Sequence, residues 1–374
     1  MRIGLCVLHA CARSIKLGWL LMERGHSVHL ITERPIPSQG HFDFDSVNVL
    51  YTGHLDRREL FIEQLYSTFK TLAPVLDVVY FANEPDWPVE VIRKAVGPNK
   101  PIIFDCHDMV SMRNNGVADE YETKAWEMAD GFLAPSALYK ELMQQAYPFK
   151  PAFEVLSCVP EKLYPKERRT PRRSGLVWEG GVKGAPKEGS EQFEFRNWAE
   201  VFREVSKLGV ETWIYPSSHD EDFSNYLHSG AIFMQSLPYD QLLKNLTAHE
   251  VGLVGSPHPH PAFIGALPNK LFEYMAAGLP IIAYNAPTVS DFIGATQMGK
   301  TVHNLSDIPD AINEIKKEGY AEYIWNEGRY AWTLERQITK VETLINQVVT
   351  TKNFEQYGHG NVDLSDTMFE QKHV

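Results

Sequence analysis

Short apolar runs alternate with helical patterns along the first half of the chain. The first run, at 3–8, is followed by apolar residues at helical spacing from Ser14 to Arg24, and Gly25 ends that pattern. Further helical patterns cover 57–72 and 136–147. This alternation predicts a parallel sheet with helices on both faces. The predicted strands lie at 3–8, 27–32, 47–51, 77–82, 101–105 and 131–136.

The second half of the chain repeats this pattern. Helices are predicted between its strands, for example at 196–208 and 239–249. The fold class is therefore α/β, with two doubly wound, Rossmann-like domains that face a cleft. A ligand shared by both domains belongs in that cleft, outside the carboxyl ends of the strands. The predicted strands lie at 175–180, 210–215, 231–237, 251–255, 280–284 and 300–304.

The segment 165–175 interrupts the alternation and is predicted to link the two domains. Two prolines and five basic residues stand in and beside "KERRTPRR". Such a charge run is typical of a solvated linker, and a local anion site is the alternative. The predicted domains cover 1–164 and 176–320. A long last helix follows at 321–350, and a polar tail at 351–374.

Composition narrows the functional classes. A chain of 374 residues with 44% hydrophobic residues favours two globular domains. Its net charge of −12 argues against a general nucleic-acid binder, although a local basic site stays open. Four cysteines without paired spacing indicate reduced thiols in a cytoplasmic protein and no zinc site. No apolar stretch reaches the length of a membrane span, which leaves only a peripheral membrane contact open.

The stretch "ALPNKLFEYMAAGLPIIAY", at 266–284, carries the clearest chemical signal. A helix is predicted to begin at Pro268 and Asn269, with Asn269 as a cap. Asn269 and Glu273 share one face, and Lys270 borders it. The N–H groups of a helix start bind phosphate well, so a diphosphate there would bring ribose hydroxyls to Glu273. The alternative is an exposed Lys270–Glu273 pair on an ordinary surface helix.

On this architecture, "PNKLFEYMAAGLPIIAY" resembles the signature of nucleotide-sugar glycosyltransferases of the two-domain GT-B fold. The resemblance is closest to the large retaining family that includes bacterial polysaccharide and lipid glycosyltransferases. Further similar stretches follow in the family's order: "ERGHSVHLIT", "PIIFDCHDMVSMRNNG", "SCVPEKLYP", "LVWEGGV" and "AIFMQSLPYDQLLKNLTAHEVGLV". The resemblance implies an acceptor-side N-terminal domain, a donor-binding C-terminal domain and a last helix that crosses back to the N-terminal domain.

The resemblance also implies roles for donor-side residues. Glu273 would bind ribose, while Lys270 and the amides at Asn269 would hold the diphosphate. Gly180 and Gly181, in "LVWEGGV", join this set. Arg196 is our first choice for a further phosphate contact, with Lys183 and Lys187 as alternatives. Tyr239 would stack on the nucleotide base, or else simply cover the end of its helix.

On the acceptor side, the resemblance implies a role for His107. It would hydrogen-bond the donor sugar or the β-phosphate, with Asp108 orienting it and Asp105 as buried support. Two features depart from the family. Gly265 stands where many members have a glutamate, eight residues before Glu273. The N-terminal glycine-rich loop is replaced by "LHACARS".

The sequence therefore predicts a glycosyltransferase that moves a hexose from a nucleoside-diphosphate sugar, with UDP favoured over GDP, to a hydroxyl acceptor. Retention is expected. No metal or other cofactor is expected, because helix amides and Lys270 can stabilise the charge of the leaving diphosphate. Glycan, lipid, protein and nucleic acid all stay open as acceptors. The alternatives are a sugar-nucleotide epimerase on the same fold and a non-catalytic nucleotide-sugar-binding protein.

Overall fold

The computed structural model describes residues 1–8, 11–33, 44–50, 58–170, 172–182, 196–217 and 223–357. These residues form two parallel sheets with helices on both faces, which confirms the predicted fold class. Every strand predicted from an apolar run is present. The short strand at Ala152–Glu154 was not predicted, because three half-buried residues give no periodic signal.

The N-terminal sheet has seven strands in the order β3-β2-β1-β4-β5-β6-β7. From β1 the chain adds β2 and β3 on one side of the sheet. It then crosses to the other side of β1, where it forms β4 to β7 in order. Its strands are β1 (Arg2–Val7), β2 (Ser27–Thr32), β3 (Ser46–Val49), β4 (Val78–Ala82), β5 (Ile102–Asp105), β6 (Gly131–Ala134) and β7 (Ala152–Glu154). Its helices are α1 (Ala12–Glu23), α2 (Arg58–Leu72), α3 (Pro88–Val96), α4 (Val110–Arg113), α5 (Glu120–Met128) and α6 (Ala137–Ala146).

The C-terminal sheet has six strands in the order β10-β9-β8-β11-β12-β13. Its first strand begins at Arg173, inside the segment predicted as linker. The strands are β8 (Arg173–Gly180), β9 (Thr212–Pro216), β10 (Ala231–Phe233), β11 (His249–Gly255), β12 (Ile281–Tyr284) and β13 (Gly299–Val302). The helices are α7 (Ala199–Lys207), α8 (Tyr239–Leu246), α9 (Asn269–Ala276), α10 (Pro287–Thr296) and α11 (Ile308–Lys317).

Strand register determines which loops meet at the cleft. Val7 at the end of β1 pairs with Ala82 of β4, and Ala82 pairs with Asp105 of β5. The three strands therefore end at one level, where the order of the sheet reverses. The loops that follow them carry Cys11, Asn83 and His107. This edge of an open α/β sheet is where ligands bind.

The last part of the chain differs from the single helix predicted at 321–350. It forms α12 (Tyr320–Asn326), a 3-10 turn at Gly328–Ala331 and α13 (Leu334–Tyr357). The break lies where Gly328 packs so closely on Met298 that a Cβ would approach its methyl carbon to 2.7 Å. The next residue, Arg329, is buried and donates to the carbonyl oxygens of Pro165 and Ala276.

Helix α13 packs against the N-terminal sheet. A Cβ at Gly131 in β6 would lie 2.8 Å from Leu344 and 2.9 Å from Val348, so the helix and strand are in close contact. Both side chains belong to an apolar cluster that also includes residues of β1, α1, α8 and α9. One continuous core therefore joins the two domains. Across the described ranges, no helix is long and apolar enough to cross a membrane.

Candidate active site

The cleft between the domains contains a cavity of about 710 Å³. Nine of the residues that the sequence predicted to bind the donor or to take part in the chemistry line this cavity. These residues come from loops and helix starts far apart along the chain, at the carboxyl ends of strands in both sheets. They are His107, Asp108, Gly180, Gly181, Arg196, Tyr239, Asn269, Lys270 and Glu273.

Helix α9 presents its first turn to the cavity. Its N-cap is Pro268, and Asn269 is the first helical residue, so Asn269 does not cap the helix as predicted. Its Oδ1 is buried and accepts no hydrogen bond from any described residue. The N–H groups of a first turn also lack partners within the helix. Glu273, one turn further along, is only 3% exposed, which excludes the alternative of an ordinary surface pair.

Lys270 lies against β8 and does not pair with Glu273. Its Nζ is 3.3 Å from the centre of the Trp178 ring. Burial, together with Arg196, lowers the pKa of Lys270 to about 8, although Glu179 opposes this. An anion bound beside this amine would favour its charged form.

Two glycines leave room beside these cations. A Cβ at Gly180, where φ is +101°, would lie 3.6 Å from Nζ of Lys270. A Cβ at Gly181 would lie 3.9 Å from Nη1 of Arg196. Arg196 precedes α7 by three residues and does not open that helix as predicted. The other two candidates, Lys183 and Lys187, lie outside the described residues.

The neighbours of Glu273 come from both domains, and the sequence did not predict them. Nζ of the buried Lys16, on α1, lies 4.0 Å from Oε1 of Glu273. It also donates to the Tyr239 hydroxyl at 3.3 Å. Glu179 is the second neighbour. Its burial and the nearby Glu273 raise the pKa of Glu179 well above its usual range.

Tyr239 is the first residue of α8 and is 9% exposed. Its ring belongs to the apolar cluster that joins the domains, and its hydroxyl accepts from Lys16. The residue lines the cavity, but these contacts fit the covering role better than the stacking role.

His107 is held by four side chains on the N-terminal side of the cavity, one of which is Ser14, whose Oγ lies 3.3 Å from Nε2. Its Nε2 is 3.0 Å from Oδ2 of Asp105, and its Nδ1 is 3.1 Å from Sγ of Cys11. Its backbone N–H donates to Oδ1 of Asn83 at 2.5 Å. Burial opposes protonation, but Cys11 and Asp105 outweigh it and raise the pKa of His107 to about 10. His107 is therefore cationic at neutral pH.

The carboxylate that orients His107 is Asp105, which corrects the role expected of Asp108. Residues two apart along an extended segment point to the same side, which brings Asp105 and His107 together and turns Asp108 away. Asp108 is exposed and lines the cavity, while its backbone carbonyl accepts from Asn83 at 2.7 Å. Asp105 in turn accepts hydrogen bonds from two side chains. Nη2 of Arg13 donates to its Oδ1 at 2.8 Å, and the Tyr80 hydroxyl donates to its Oδ2.

The structure shows what surrounds residues at both places where the sequence departs from the family pattern. Gly265 is buried, and a Cβ there would meet the Tyr139 ring at 2.6 Å. A ring from the N-terminal domain therefore fills the space beside this position, and its hydroxyl donates to the Ala262 carbonyl at 3.2 Å. In "LHACARS", Arg13 turns inward to Asp105 and Cys11 faces His107. The sequence reading gave neither residue a role.

Arg113 is a further cation that the sequence did not single out. It lies at the end of α4, lines the cavity and pairs with Glu84. Burial and Arg196, which lines the same cavity, lower the pKa of Arg113 to about 10. Within the described ranges, no cluster of His, Cys, Asp and Glu side chains has the arrangement of a metal site.

Two family models match the chain. Residues 15–158 match the family described as Glycosyltransferase Family 4. Residues 222–345 match the family described as Glucosyltransferase 3-like, C-terminal domain. None of the curated protein sequences compared with the chain is significantly similar to it.

Solved structures share the fold over nearly the whole chain. Sucrose-phosphate synthase from Thermosynechococcus elongatus is 16% identical with a TM-score of 0.67, covering 94% of this chain and 99% of that one. HepE from Anabaena, in complex with UDP, is 12% identical with a TM-score of 0.64, covering 93% and 100%. An alpha-glucosyltransferase, in complex with UDP and a 13-mer DNA containing a HMU base, is 12% identical with a TM-score of 0.59, covering 92% and 99%.

These structures show the architecture, and the two family matches show the enzyme class for each part of the chain. With two Rossmann-like domains, a cleft between them and a glycosyltransferase match in each domain, this chain is a glycosyltransferase of the GT-B fold, which transfers a sugar from a nucleotide-sugar donor.

Proposed function

We propose that this glycosyltransferase moves a hexose from a UDP-sugar to a hydroxyl acceptor, with retention and without a metal ion. The observation that carries the proposal is that one cavity brings together the buried carboxylate of Glu273, the helix start beside it with Lys270, and a second cation, Arg196. UDP is favoured over GDP because the similar HepE was solved with UDP and with UDP-glucose, and the similar alpha-glucosyltransferase with UDP.

The donor lies along the C-terminal side of the cavity in this proposal. The first turn of α9 and Lys270 hold the diphosphate, with Arg196 opposite and Gly180 and Gly181 leaving room for it. Glu273 accepts hydrogen bonds from ribose. Lys16 and Glu179 flank this carboxylate before the nucleotide arrives.

The chemical step breaks the bond between the anomeric carbon and the diphosphate. Negative charge grows on the leaving oxygen, and Lys270, Arg196 and the helix amides stabilise it. His107 reaches the cavity from the other domain as an imidazolium whose ring nitrogens are held by Asp105 and Cys11, so in this proposal its positive charge acts on the negative charge that develops as the bond to the sugar breaks. Arg113, also on that side, adds charge where the diphosphate enters.

Calorimetric titration with UDP and with GDP tests the donor assignment. Replacing Glu273 by alanine removes the charged acceptor for two ribose hydroxyls, and we expect binding of the preferred nucleotide to weaken by about 2–4 kcal/mol. The matched control is Glu322→Ala on α12, where the carboxylate is 75% exposed. Unchanged affinity for both nucleotides in the Glu273→Ala protein would contradict the ribose contact.

The same titration separates His107 from the donor residues. In this proposal His107→Ala leaves UDP affinity near the native value and slows turnover of the UDP-sugar.

A product assay without acceptor distinguishes the proposed transferase from the alternative functions. Slow release of free sugar supports a transferase, a new sugar nucleotide supports an epimerase, and binding with neither product supports a non-catalytic protein.

A further inference from the structure

Cys11 occupies a distinctive place at the N-terminal side of the cavity. It caps α1, and its Sγ accepts from the Ser14 N–H at 3.5 Å. The same sulfur lies 3.1 Å from Nδ1 of His107, whose Nε2 lies 3.0 Å from Oδ2 of Asp105. A thiol, an imidazole and a carboxylate thus stand in a row. This arrangement activates a cysteine as a nucleophile, because the imidazole is held in position by the third group.

The electrostatic surroundings of Cys11 favour its anion. Burial opposes ionisation, but the charge of His107 and the hydrogen bonds from His107 and Ser14 outweigh it and lower the pKa of Cys11 to about 7. The positive end of α1 acts in the same direction. Since His107 is protonated under the same conditions, a large share of the pairs is thiolate and imidazolium at neutral pH.

The other three cysteines have none of these features. Cys6, Cys106 and Cys158 are completely buried. Burial raises the pKa of Cys158 to about 12 and raises those of Cys6 and Cys106 further above their usual value. Cys11 is half-buried and lines the 710 Å³ cavity. A reagent that enters the cleft therefore meets one thiol, and that thiol is the ionised one.

We propose that Cys11 is a modification site, a nucleophilic thiolate that reacts with hydrogen peroxide and with soft carbon electrophiles that enter the cleft. With peroxide, an S–O bond forms as the O–O bond breaks. The sulfur loses two electrons and the peroxide gains them. The departing hydroxide takes a proton from the His107 imidazolium and leaves as water. With an alkyl iodide, an S–C bond forms and iodide leaves.

Alkylation of the native full chain tests this assignment directly. The protein is treated briefly with limiting iodoacetamide between pH 5.5 and 9.5, and mass spectrometry of its peptides locates the label. We expect the label at Cys11, with a rate that is half-maximal near pH 7. At that pH the rate should exceed that of a thiol with an ordinary pKa near 8.5 by about fifteenfold, the ratio of the thiolate fractions. Labelling that reaches another cysteine first, or a half-maximal rate near pH 8.5, would overturn the proposal.

Two variants examine the cause of the reactivity. His107→Gln removes the charge beside the sulfur, so the half-maximal rate should move above pH 8. Cys158→Ser is the matched control, and its profile should stay that of the native chain. If His107→Gln fails to fold, the profile of the native chain decides alone. A folded His107→Gln protein with an unchanged profile would show that the pair does not activate Cys11.

A second measurement links this site to turnover, and it rests on the proposed function. Oxidation of Cys11 removes the partner of one His107 ring nitrogen, so peroxide should slow hydrolysis of the UDP-sugar in step with Cys11 oxidation, and a dithiol reductant should restore it. The Cys11→Ser protein should not respond to peroxide, whatever its own rate. If Cys11 is labelled as expected but turnover does not respond, the thiolate stands and the role of His107 in turnover is wrong.

Discussion

Lys270 is the residue whose ionisation is most closely tied to the ligand. It is held against the face of Trp178, next to Glu179 and Arg196, with a pKa of about 8. In the free protein this side chain therefore loses its proton as the pH rises through about 8. A diphosphate beside the ammonium favours the charged form, so binding raises this pKa and takes up a proton.

The pH dependence of UDP binding follows from this shift. Below pH 8 Lys270 is already charged and the affinity is steady. Above pH 8 each binding event must first protonate it, so the affinity should fall by about tenfold per pH unit. Calorimetry between pH 7 and 9.5, in buffers of different ionisation enthalpy, measures both the affinity and the proton uptake. Lys270→Arg keeps the charge and should flatten the profile, whereas an equally steep profile in that variant would assign it to another group.

At the scale of elements, one hydroxyl fixes α9 to β8. The buried Tyr274 hydroxyl accepts from the Glu179 N–H at 2.9 Å and donates to the Val177 carbonyl at 3.1 Å. Strand β11, beside β8, can approach the Tyr274 ring because its residue Gly252 has no side chain. A Cβ at Gly252 would lie 2.3 Å from that ring. These contacts set the distance between Glu273 on the helix and Glu179 on the strand.

Removal of this hydroxyl should cost stability. Tyr274→Phe leaves the Glu179 N–H and the Val177 carbonyl buried without a partner, which should lower the free energy of unfolding by about 1–3 kcal/mol. Urea unfolding followed by circular dichroism measures the change. Tyr323→Phe, on a ring that is 38% exposed, is the matched control and should change it by less than about 0.5 kcal/mol. Equal effects in the two variants would contradict the role of the Tyr274 hydroxyl.

The same scale shows what the sequence could predict. Buried parallel strands are continuous apolar runs, and α9 places Asn269, Lys270 and Glu273 within one turn, so both features are local and were found. The partners Lys16, Glu179 and Arg113 depend on contacts between distant segments. A single lysine in an apolar helix, or a glutamate in an apolar strand, signals an unusual environment, but it does not name the partner. The sequence predicted Asp108 beside His107, whereas the structure places Asp105 there. The prediction was wrong because the direction of a side chain at a strand end depends on the register of the strand.

For the whole molecule, the continuous apolar cluster is the main constraint. It includes the buried Leu344 of α13, Ile15 of α1 and Leu271 of α9, so the domains share one core. Lys16 adds a polar contact across the cleft. Two domains joined in this way should unfold together.

Scanning calorimetry should accordingly show one transition for the full chain. Leu344→Ala leaves a cavity in the shared core, at a cost of about 2–5 kcal/mol, and should lower the Tm of that single transition by about 3–6 °C. Gln347→Ala, exposed on the same helix, is the control and should leave the Tm unchanged. Two separate transitions, of which Leu344→Ala moved only one, would show that the domains are thermodynamically independent.

The packing of α13 on the N-terminal sheet has a consequence for biosynthesis. A ribosome makes β1 to β7 first, yet β6 keeps its apolar side uncovered until Leu344 and Val348 have been made. Domains generally fold in the order in which they leave the ribosome. Here the first domain to emerge is the last to be completed. Until then the nascent chain exposes part of an apolar sheet face, the kind of surface that molecular chaperones protect, and translation must pass through the entire donor-binding domain before that protection can end.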